Sequence, residues 1–556
     1  VRLAILLLLF FASGVCGLIY QVLWLRMLAL VFGVTVYAAS TVLAAFMAGL
    51  ATGSAIADRV IARVGRPLVV FGVAEILIGV SALLTPLALD AATGLYARLY
   101  PMTGGSLPIL TAARLVTGFV VLLVPTVLMG MTLPVLSAST LVRGSSFGTR
   151  VSALYAINTA GAVTGAVLTG FYLIGAIGIQ NSFLLGASIN VAVGILSLIL
   201  ATRVDETVAP AAAGAASVFP SMVRPPWTPS PRVVAAVVGI SGLVALALEI
   251  VWFRTLVQYL AATTYAFTTM LATVLAGIAI GGALAARLLR TPRDWAGGLA
   301  LIQMAASLLV LASAIFLGRS YAAGWRTGGD WQASAAAILP VAILMGLAFP
   351  IALHLVAAGN QGDPPARLAR RVGRLYSTNV VGAIIGALLG GFLLLPLLGA
   401  RKALIVMAAL YGASALLLVW GHPARRRLLA AAGVSMVAFG FLAAEVPDPF
   451  AAAYARRHGQ DMREFWREEG VQTAVSVHAS AFRRSLYLDG LHQANDTPDM
   501  VRLHRIIGHL PMVLHPAPDD ALVIGLGGGA TPGAVSQYPG ASVQVVELSE
   551  SVHKAA

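Results

Sequence analysis

The chain is 556 residues long, 59% apolar and only 10% charged, with a mean hydropathy of +0.89. Soluble domains carry about 25% charged residues, so a water-soluble fold is excluded for most of the chain, and its long apolar stretches point to a polytopic membrane protein. The net charge of +14 is uneven: residues 1–444 hold 27 Lys/Arg against 9 Asp/Glu, whereas residues 445–556 hold 9 against 13, with seven of the nine histidines. A basic membrane part therefore precedes a mildly acidic soluble part. The arginines are scattered over short loops, which argues against a nucleic-acid partner. Cys16 is the only cysteine, so no intrachain disulfide and no cysteine-based metal site can form. No cleavable signal peptide is expected, and Val1 in place of Met reads as a GTG start or a clipped fragment.

A bilayer core needs about 20 apolar residues per helix. Spans are expected near 3–25, 36–57, 68–89, 109–137, 151–174, 182–201, 233–253, 265–286, 297–318, 334–357, 375–398 and 403–420. A shorter apolar helix follows within 427–444. Backbone groups in lipid must be bonded within their own segment, so these are helices. Loops on the side of Arg59, Arg63 and Arg66 carry 18 Lys/Arg against 7 on the other side, which places the N-terminus in the cytoplasm and the protein in the plasma membrane. Twelve spans return the chain to the cytoplasm. If 428–444 crosses as a thirteenth, the soluble part lies outside; its 17 residues also suit an interfacial or re-entrant helix.

The membrane part is duplicated. A shift of 228 maps Ser13-Gly14 onto Ser241-Gly242, Gln21 onto Glu249, Trp24 and Arg26 onto Trp252 and Arg254, Gly49 and Gly53 onto Gly277 and Gly281, and Glu75 onto Gln303. Met129-Gly130 recurs as Met345-Gly346, and Tyr155, Asn158, Gly161 and Gly165 recur as Tyr376, Asn379, Gly382 and Gly386. Two six-helix repeats, 1–201 and 233–426, joined by a linker over 202–232, follow from this. An even span count per half gives both the same orientation, an arrangement that resembles the major facilitator superfamily of transporters. Gln21, Glu75, Arg114, Asn158, Glu249, Gln303, His354 and Asn379 fall in or near apolar helices. Glu75 and Glu249 stand out as candidates for a substrate or proton path, because a carboxylate in lipid is costly; hydrogen bonding between helices is the other reading. The Trp24/Arg26 and Trp252/Arg254 pairs read as interfacial anchors, and the glycines four apart as packing positions.

From Glu445 the character changes. Residues 471–478 and 484–488 alternate as strands around a turn, 498–514 read as a helix, and Ala521–Ile524 form a short strand. That strand runs into Gly525-Leu-Gly-Gly-Gly-Ala-Thr531, a helix, and a further strand ending at Glu547. Glycines allow close approach to a nucleotide-bearing ligand, and an acid about 20 residues on can accept both ribose hydroxyls. Glu547 lies 22 residues after Gly525.

Leu486-Tyr-Leu-Asp-Gly-Leu-His-Gln493, His504 through His509-Leu-Pro511, the glycine loop, and Val545-Val-Glu-Leu548 together resemble spermidine synthase, a polyamine aminopropyltransferase. The whole chain resembles the membrane-fused form of that family. The resemblance implies a small β-region over about 468–495 before a Rossmann-like, methyltransferase-type domain starting at about 498. It implies aminopropyl transfer from decarboxylated S-adenosylmethionine (or use of S-adenosylmethionine) as co-substrate, with no permanently bound cofactor, to an amine such as putrescine. Gln493 and His504 match donor-contacting positions, Gly525, Gly527, Gly528 and Gly529 approach the nucleoside, and Glu547 holds the ribose. Oligomers through the C-terminal part are compatible with it. Three departures stand beside the resemblance. Gly528 takes the place of the family's Asp that holds the donor's amine, Arg505 replaces an acid, and the segment bearing the catalytic Asp is absent. The catalytic residue is thus unassigned, and the α/β part is expected to be truncated. A facilitator-like transporter with a nucleoside- or polyamine-sensing tail is the alternative, and a membrane scaffold with a degenerate tail a third.

Overall fold

A computed structural model describes residues 2–103, 106–142, 147–204, 227–260, 263–291, 293–322, 330–358, 365–458, 462–470 and 473–556. Most of the expected linker, 205–226, lies outside them. The first repeat holds α1 (Arg2–Phe32), α2 (Thr35–Val64), α3 (Pro67–Met102), α4 (Leu107–Ser137), α5 (Phe147–Leu168) and α6 (Ile174–Ala201). The second holds α7 (Pro231–Leu260), α8 (Thr263–Leu288), α9 (Trp295–Ala322), α10 (Asp330–Ala358), α11 (Pro365–Leu389) and α12 (Leu395–Trp420), and α13 (Arg425–Glu445) follows. Among the described residues, eleven helical runs are long and apolar enough to cross a membrane. Two of these, Arg150–Ala201 and Arg370–Trp420, are 52 and 51 residues long, over twice the length one crossing needs. Each is broken at a glycine whose backbone leaves the helix, Gly178 (φ 78°, ψ 173°) and Gly399 (φ 70°, ψ 171°), a region open essentially to glycine alone. Each also carries one π-helical turn, Thr169–Leu173 and Gly390–Leu394.

The duplication is visible in the packing. In the first half α1 packs on α5 and α6, α2 on α4, and α3 on α4 and α6; in the second, α7 packs on α11 and α12, α8 on α10, and α9 on α10 and α12. Lipid tails are as apolar as the side chains, so helix association rests on close packing rather than on the hydrophobic effect. The paired glycines supply it. Gly161 and Gly165 lie against the α1 backbone at Phe11 and Val15, and Gly382 and Gly386 against the α7 backbone at Gly239 and Leu243. Gly49 and Gly53 meet α4 at Thr126 and Val127, and Gly277 and Gly281 meet α10 at Ala342 and Ile343.

The polar positions follow the same symmetry. Glu75 is fully buried within the first half; Ser13 Oγ donates to Oε1 at 2.6 Å and Asn190 Nδ2 to Oε2 at 2.5 Å. Gln303, its repeat counterpart, donates to Ser241 Oγ at 2.7 Å. Glu75 is therefore engaged in the same helix-to-helix bond as a neutral amide in the other half. Glu249 is buried on α7 and makes no hydrogen bond among the described residues. Of the expected interfacial anchors, three are covered by protein: Trp24 and Trp252 are buried, Trp24 Nε1 donates to Thr85 Oγ1 at 3.0 Å, and Arg254 is only 6% exposed, whereas its counterpart Arg26 is exposed.

The tail starts with α14 (Pro449–His458). A four-stranded antiparallel sheet follows, in the order β1 (Arg463–Glu469), β2 (Ala474–Ala479), β3 (Arg484–Leu488) and β4 (Leu491–Asn495). It begins at 463 rather than about 468. Phe450 and Tyr454 of α14 pack on Ala474 and Tyr487, and the His478 ring stacks on Tyr454 at 3.6 Å. Then come α15 (Pro498–Leu514), β5 (Asp520–Ile524), α16 (Ala530–Val535), β6 (Ser542–Val546), parallel to β5, and α17 (Glu550–Ala555). Leu522, Ile524, Val546 and Leu548 of this two-stranded unit are exposed.

α13 is 21 residues long, not 17, and runs along α9 and α12 with an exposed apolar surface of Val434, Met436, Val437 and Phe441. At its end Glu445 pairs with Arg319 near the C-terminus of α9 at 3.2 Å, and Arg401 at the start of α12 donates to the Ala444 carbonyl. The tail thus sits on the face reached by the C-terminal ends of α1, α7 and α9. The N-terminus lies about 46 Å away along α1, at 1.5 Å per residue.

Gly165→Ala places a methyl on the Val15 backbone and is expected to lower detergent stability by about 1–3 kcal/mol; Gly175→Ala, with open space around it, leaves it unchanged in the same thermal assay. Glu75→Gln keeps the Ser13 bond and is expected to be tolerated, whereas Glu75→Leu strands Ser13 and Asn190 and lowers the melting temperature. Burial and the neighbouring His458 push the His478 pKa down to about 4. The unfolded ring, titrating at about 6.5, then binds protons that the folded one does not. This contribution to stability is intact above about pH 6.5 and lost as pH falls toward 4. Hydrogen exchange over 474–488, corrected for intrinsic rates, should accelerate between pH 7 and 5 in the wild type and not in His478→Phe.

Candidate functional site

The glycine loop is shaped by its backbone. Gly525, Gly527 and Gly529 have φ of 94°, 54° and 79°, conformations that side-chain-bearing residues rarely adopt. Gly525 N still donates to the Val546 carbonyl at 2.8 Å, so the parallel ladder runs up to the loop before the chain turns. Gly528 does not need a positive φ. It faces β4, where an added Cβ would lie 3.3 Å from that of Ala494.

Glu547 closes the loop from the other strand. Its Oε2 accepts the Leu526 N–H at 2.8 Å and its Oε1 accepts the Ser549 N–H at 2.9 Å. Each carboxylate oxygen has a second lone pair, so both can still accept a hydroxyl. His504, half-buried on α15, is tied to the loop's far end: Thr531 Oγ1 donates to its carbonyl at 3.1 Å and lies 3.4 Å from Nδ1. Gly508, one turn on, lets α15 approach Thr531 and Ala534 closely.

Gln493 is exposed on β4. Leu486 pairs with Ala494 and Tyr487 with His492, so Gln493 is the extra residue of a β-bulge, a device that re-aims a side chain. The structure therefore brings β4, α15 and β6, carriers of Gln493, His504 and Glu547, onto one seven-residue loop. Glu75 and Glu249, in the membrane helices, belong to neither this loop nor each other's surroundings. Among the described residues no group of three or more His, Cys, Asp or Glu is placed to hold a metal.

Asp489 was not singled out from sequence beyond its Asp-Gly turn, yet it is a node. Its φ is 47°, a left-handed conformation that Asp tolerates better than most residues. Its carboxylate accepts the Ala474 N–H at 3.0 Å and pairs with Arg254 of α7 at 3.1 Å, and its carbonyl accepts from Arg457 at 3.1 Å. The turn that leads into Gln493 is thus fastened to a membrane helix.

No family model matches the sequence. The chain is 27% identical over 288 residues to polyamine aminopropyltransferase 2 of Streptomyces coelicolor, a match covering 49% of each. It is 34% identical over 92 residues to the polyamine aminopropyltransferase of Methanocaldococcus jannaschii, covering 16% of this chain and 31% of that one. The matches thus span about half and about a third of these curated relatives. Similar solved structures include the xylose transporter XylE of E. coli in a partially occluded inward-open conformation (TM-score 0.47, 12% identity, 76% of this chain and 100% of that one). A POT family transporter in complex with 5-aminolevulinic acid gives a TM-score of 0.48 at 14% identity, over 76% and 96%. The human organic anion transporter MFSD10 gives 0.40 at 15%, over 75% and 98%. The chain joins a duplicated, polytopic helical membrane region to a tail with a small sheet, and in part of its length it is similar to polyamine aminopropyltransferases.

Proposed function

We propose that the tail is the donor-binding part of a membrane-bound, spermidine synthase-like aminopropyltransferase, with β5, the glycine loop, α16 and β6 as the first unit of a Rossmann-like domain. The carrying observation is the Glu547 carboxylate, fixed by the Leu526 and Ser549 N–H groups at the open end of a loop that three glycines bend. In this reading Glu547 accepts the ribose hydroxyls of decarboxylated S-adenosylmethionine, the loop backbone lies under the nucleoside, and Gln493 and His504 flank the aminopropyl arm. The nitrogen lone pair of an amine such as putrescine attacks the carbon beside the sulfonium, the C–S bond breaks in line, methylthioadenosine leaves, and the new ammonium loses a proton to a base that is not assigned. Positioning supplies most of such a displacement. Gly528 and Arg505 offer the donor's amine and a cationic acceptor no carboxylate, so acceptor choice rests on other groups. The location proposed is the plasma membrane with a cytoplasmic N-terminus, from the loop charges.

A second reading is favoured by the matched helix pairing of the two halves and the docking of the tail on one face: a facilitator-like transporter whose tail binds a nucleoside as a regulator. Both readings need the crevice to bind. Titration calorimetry of the intact protein with methylthioadenosine is expected to give binding that weakens at least 10-fold in Glu547→Ala. No heat in the wild type, or no effect of the substitution, rejects both. Spermidine formed from putrescine and labelled donor supports the first reading; nucleoside-dependent solute uptake without product supports the second.

A further inference from the structure

On the face that carries the tail, the two membrane halves meet at two symmetry-related contacts. Tyr37, near the start of α2, stacks on Phe392 in the π-helical turn after α11, with centroids 4.3 Å apart and planes at 16°. Tyr265, near the start of α8, stacks on Phe171 in the π-helical turn after α5, at 5.3 Å and 10°. Beside each pair a hydroxyl residue presses on a glycine of the turn: Ser40 on Gly391 and Thr268 on Gly170. Ser40 Oγ and Thr268 Oγ1 are buried without a hydrogen-bond partner among the described residues. Shifts of 228 and 221 relate every member of one contact to the other. They form a two-part closure of the same mouth.

The tail covers one part and not the other. Val36 of α2, Gly391, Leu395 and Pro396 of the second half, and Glu469 and Gly470 of β1 line a single crevice with Arg254. Three polar attachments hold the tail there. Arg254 pairs with Asp489 at 3.1 Å. Arg457 of α14 donates to the Gln258 and Tyr259 carbonyls at the C-terminal end of α7. Glu469 accepts the Ala400 N–H at 3.2 Å, one residue beyond the Gly399 break. Leu548, itself 66% exposed, lies beside the α1–α2 turn, with a methyl carbon 3.6 Å from where a Cβ on Gly33 would stand. All three polar attachments reach the second half, while the crevice shared with Val36 brings the tail against the first, so the tail spans the seam.

We propose that the tail is a latch. It fastens the two halves at this face, over the Tyr37–Phe392 closure, and the face opens only when the tail releases α7 or the α1–α2 turn. Repeat halves that rock about a shared axis open one face as they close the other, so releasing the latch shifts the pair toward closure at the N-terminal face. The proposal uses only these contacts and stands whether or not the glycine crevice binds a nucleoside.

Cys16 is buried and the only native cysteine, so site-directed labelling starts from a clean background. In the full chain in proteoliposomes, with Cys16→Ala, Val36→Cys is expected to react slowly with a membrane-impermeant maleimide. With Asp489→Asn and Arg457→Ala added, labelling should accelerate at least 10-fold. A second readout uses spin labels at the exposed positions Val64 and Leu288, at the ends of α2 and α8 on the far face. Their separation should shorten by several ångströms in the released variant. Unchanged labelling overturns the latch, and so does faster labelling with an unchanged far-face distance, which would mean that the tail merely frays.

Discussion

Close approach of backbones in a solvent that offers no hydrophobic reward is the constraint on which this molecule rests. Helices surrounded by lipid gain little from hiding leucine, so they hold where their axes come near enough for dispersion and for polar bonds between them. Gly161, Gly165, Gly382 and Gly386 bring α5 and α11 onto α1 and α7 at backbone distance. Once those seams are set, Ser13 reaches Glu75 and Ser241 reaches Gln303. The equivalence of these two bonds explains how an acid is tolerated at Glu75: it stands where an amide would serve, with both oxygens occupied.

The same symmetry makes its exceptions informative. Arg26 and Arg254 come from one ancestral position in the repeat, yet Arg26 is exposed and Arg254 is covered by Asp489. Gly178 and Gly399 break their helices alike, but only the residue after Gly399 donates to a tail carboxylate. The tail fastens on the second half's copy of each of these positions.

Most of the membrane region was legible in the sequence, because apolar runs of span length and a repeat at nearly constant shift are strong, local signals. Residues 498–514, the short strand before Gly525 and the strand before Glu547 were also legible, since their patterns switch period at the glycines. The strand β1 was not: Arg463-Glu-Phe-Trp-Arg-Glu-Glu469 shows no alternation, and its pairing with β2 comes from the sheet it joins. Trp24 and Trp252 misled for a related reason. A tryptophan beside an arginine near a helix end has the composition of an interfacial anchor, and only the packing of neighbouring helices and the tail reveals that the site is covered. The loop, Glu547 and the helix bearing His504 could be placed from pattern and spacing, whereas Gln493 was reached only through the family resemblance; the bulge that frees Gln493 and the fastening of Asp489 depend on contacts between distant segments, which leave no periodic trace.

One helix decides where all of this can meet. α13 leans on the bundle with an apolar flank and contributes almost no buried side chains, yet it carries the chain from Arg425–Arg427 to Glu445, beside Arg319 at the end of α9. Its 21 residues run about 32 Å at 1.5 Å per residue: a tail that began at Arg425–Arg427 would start that far from the end of the bundle where Arg254 and Arg319 hold it. A helix with so little buried surface is in this sense the switchyard of the chain, and splicing it out would leave the tail at the end of the bundle that offers none of its partners.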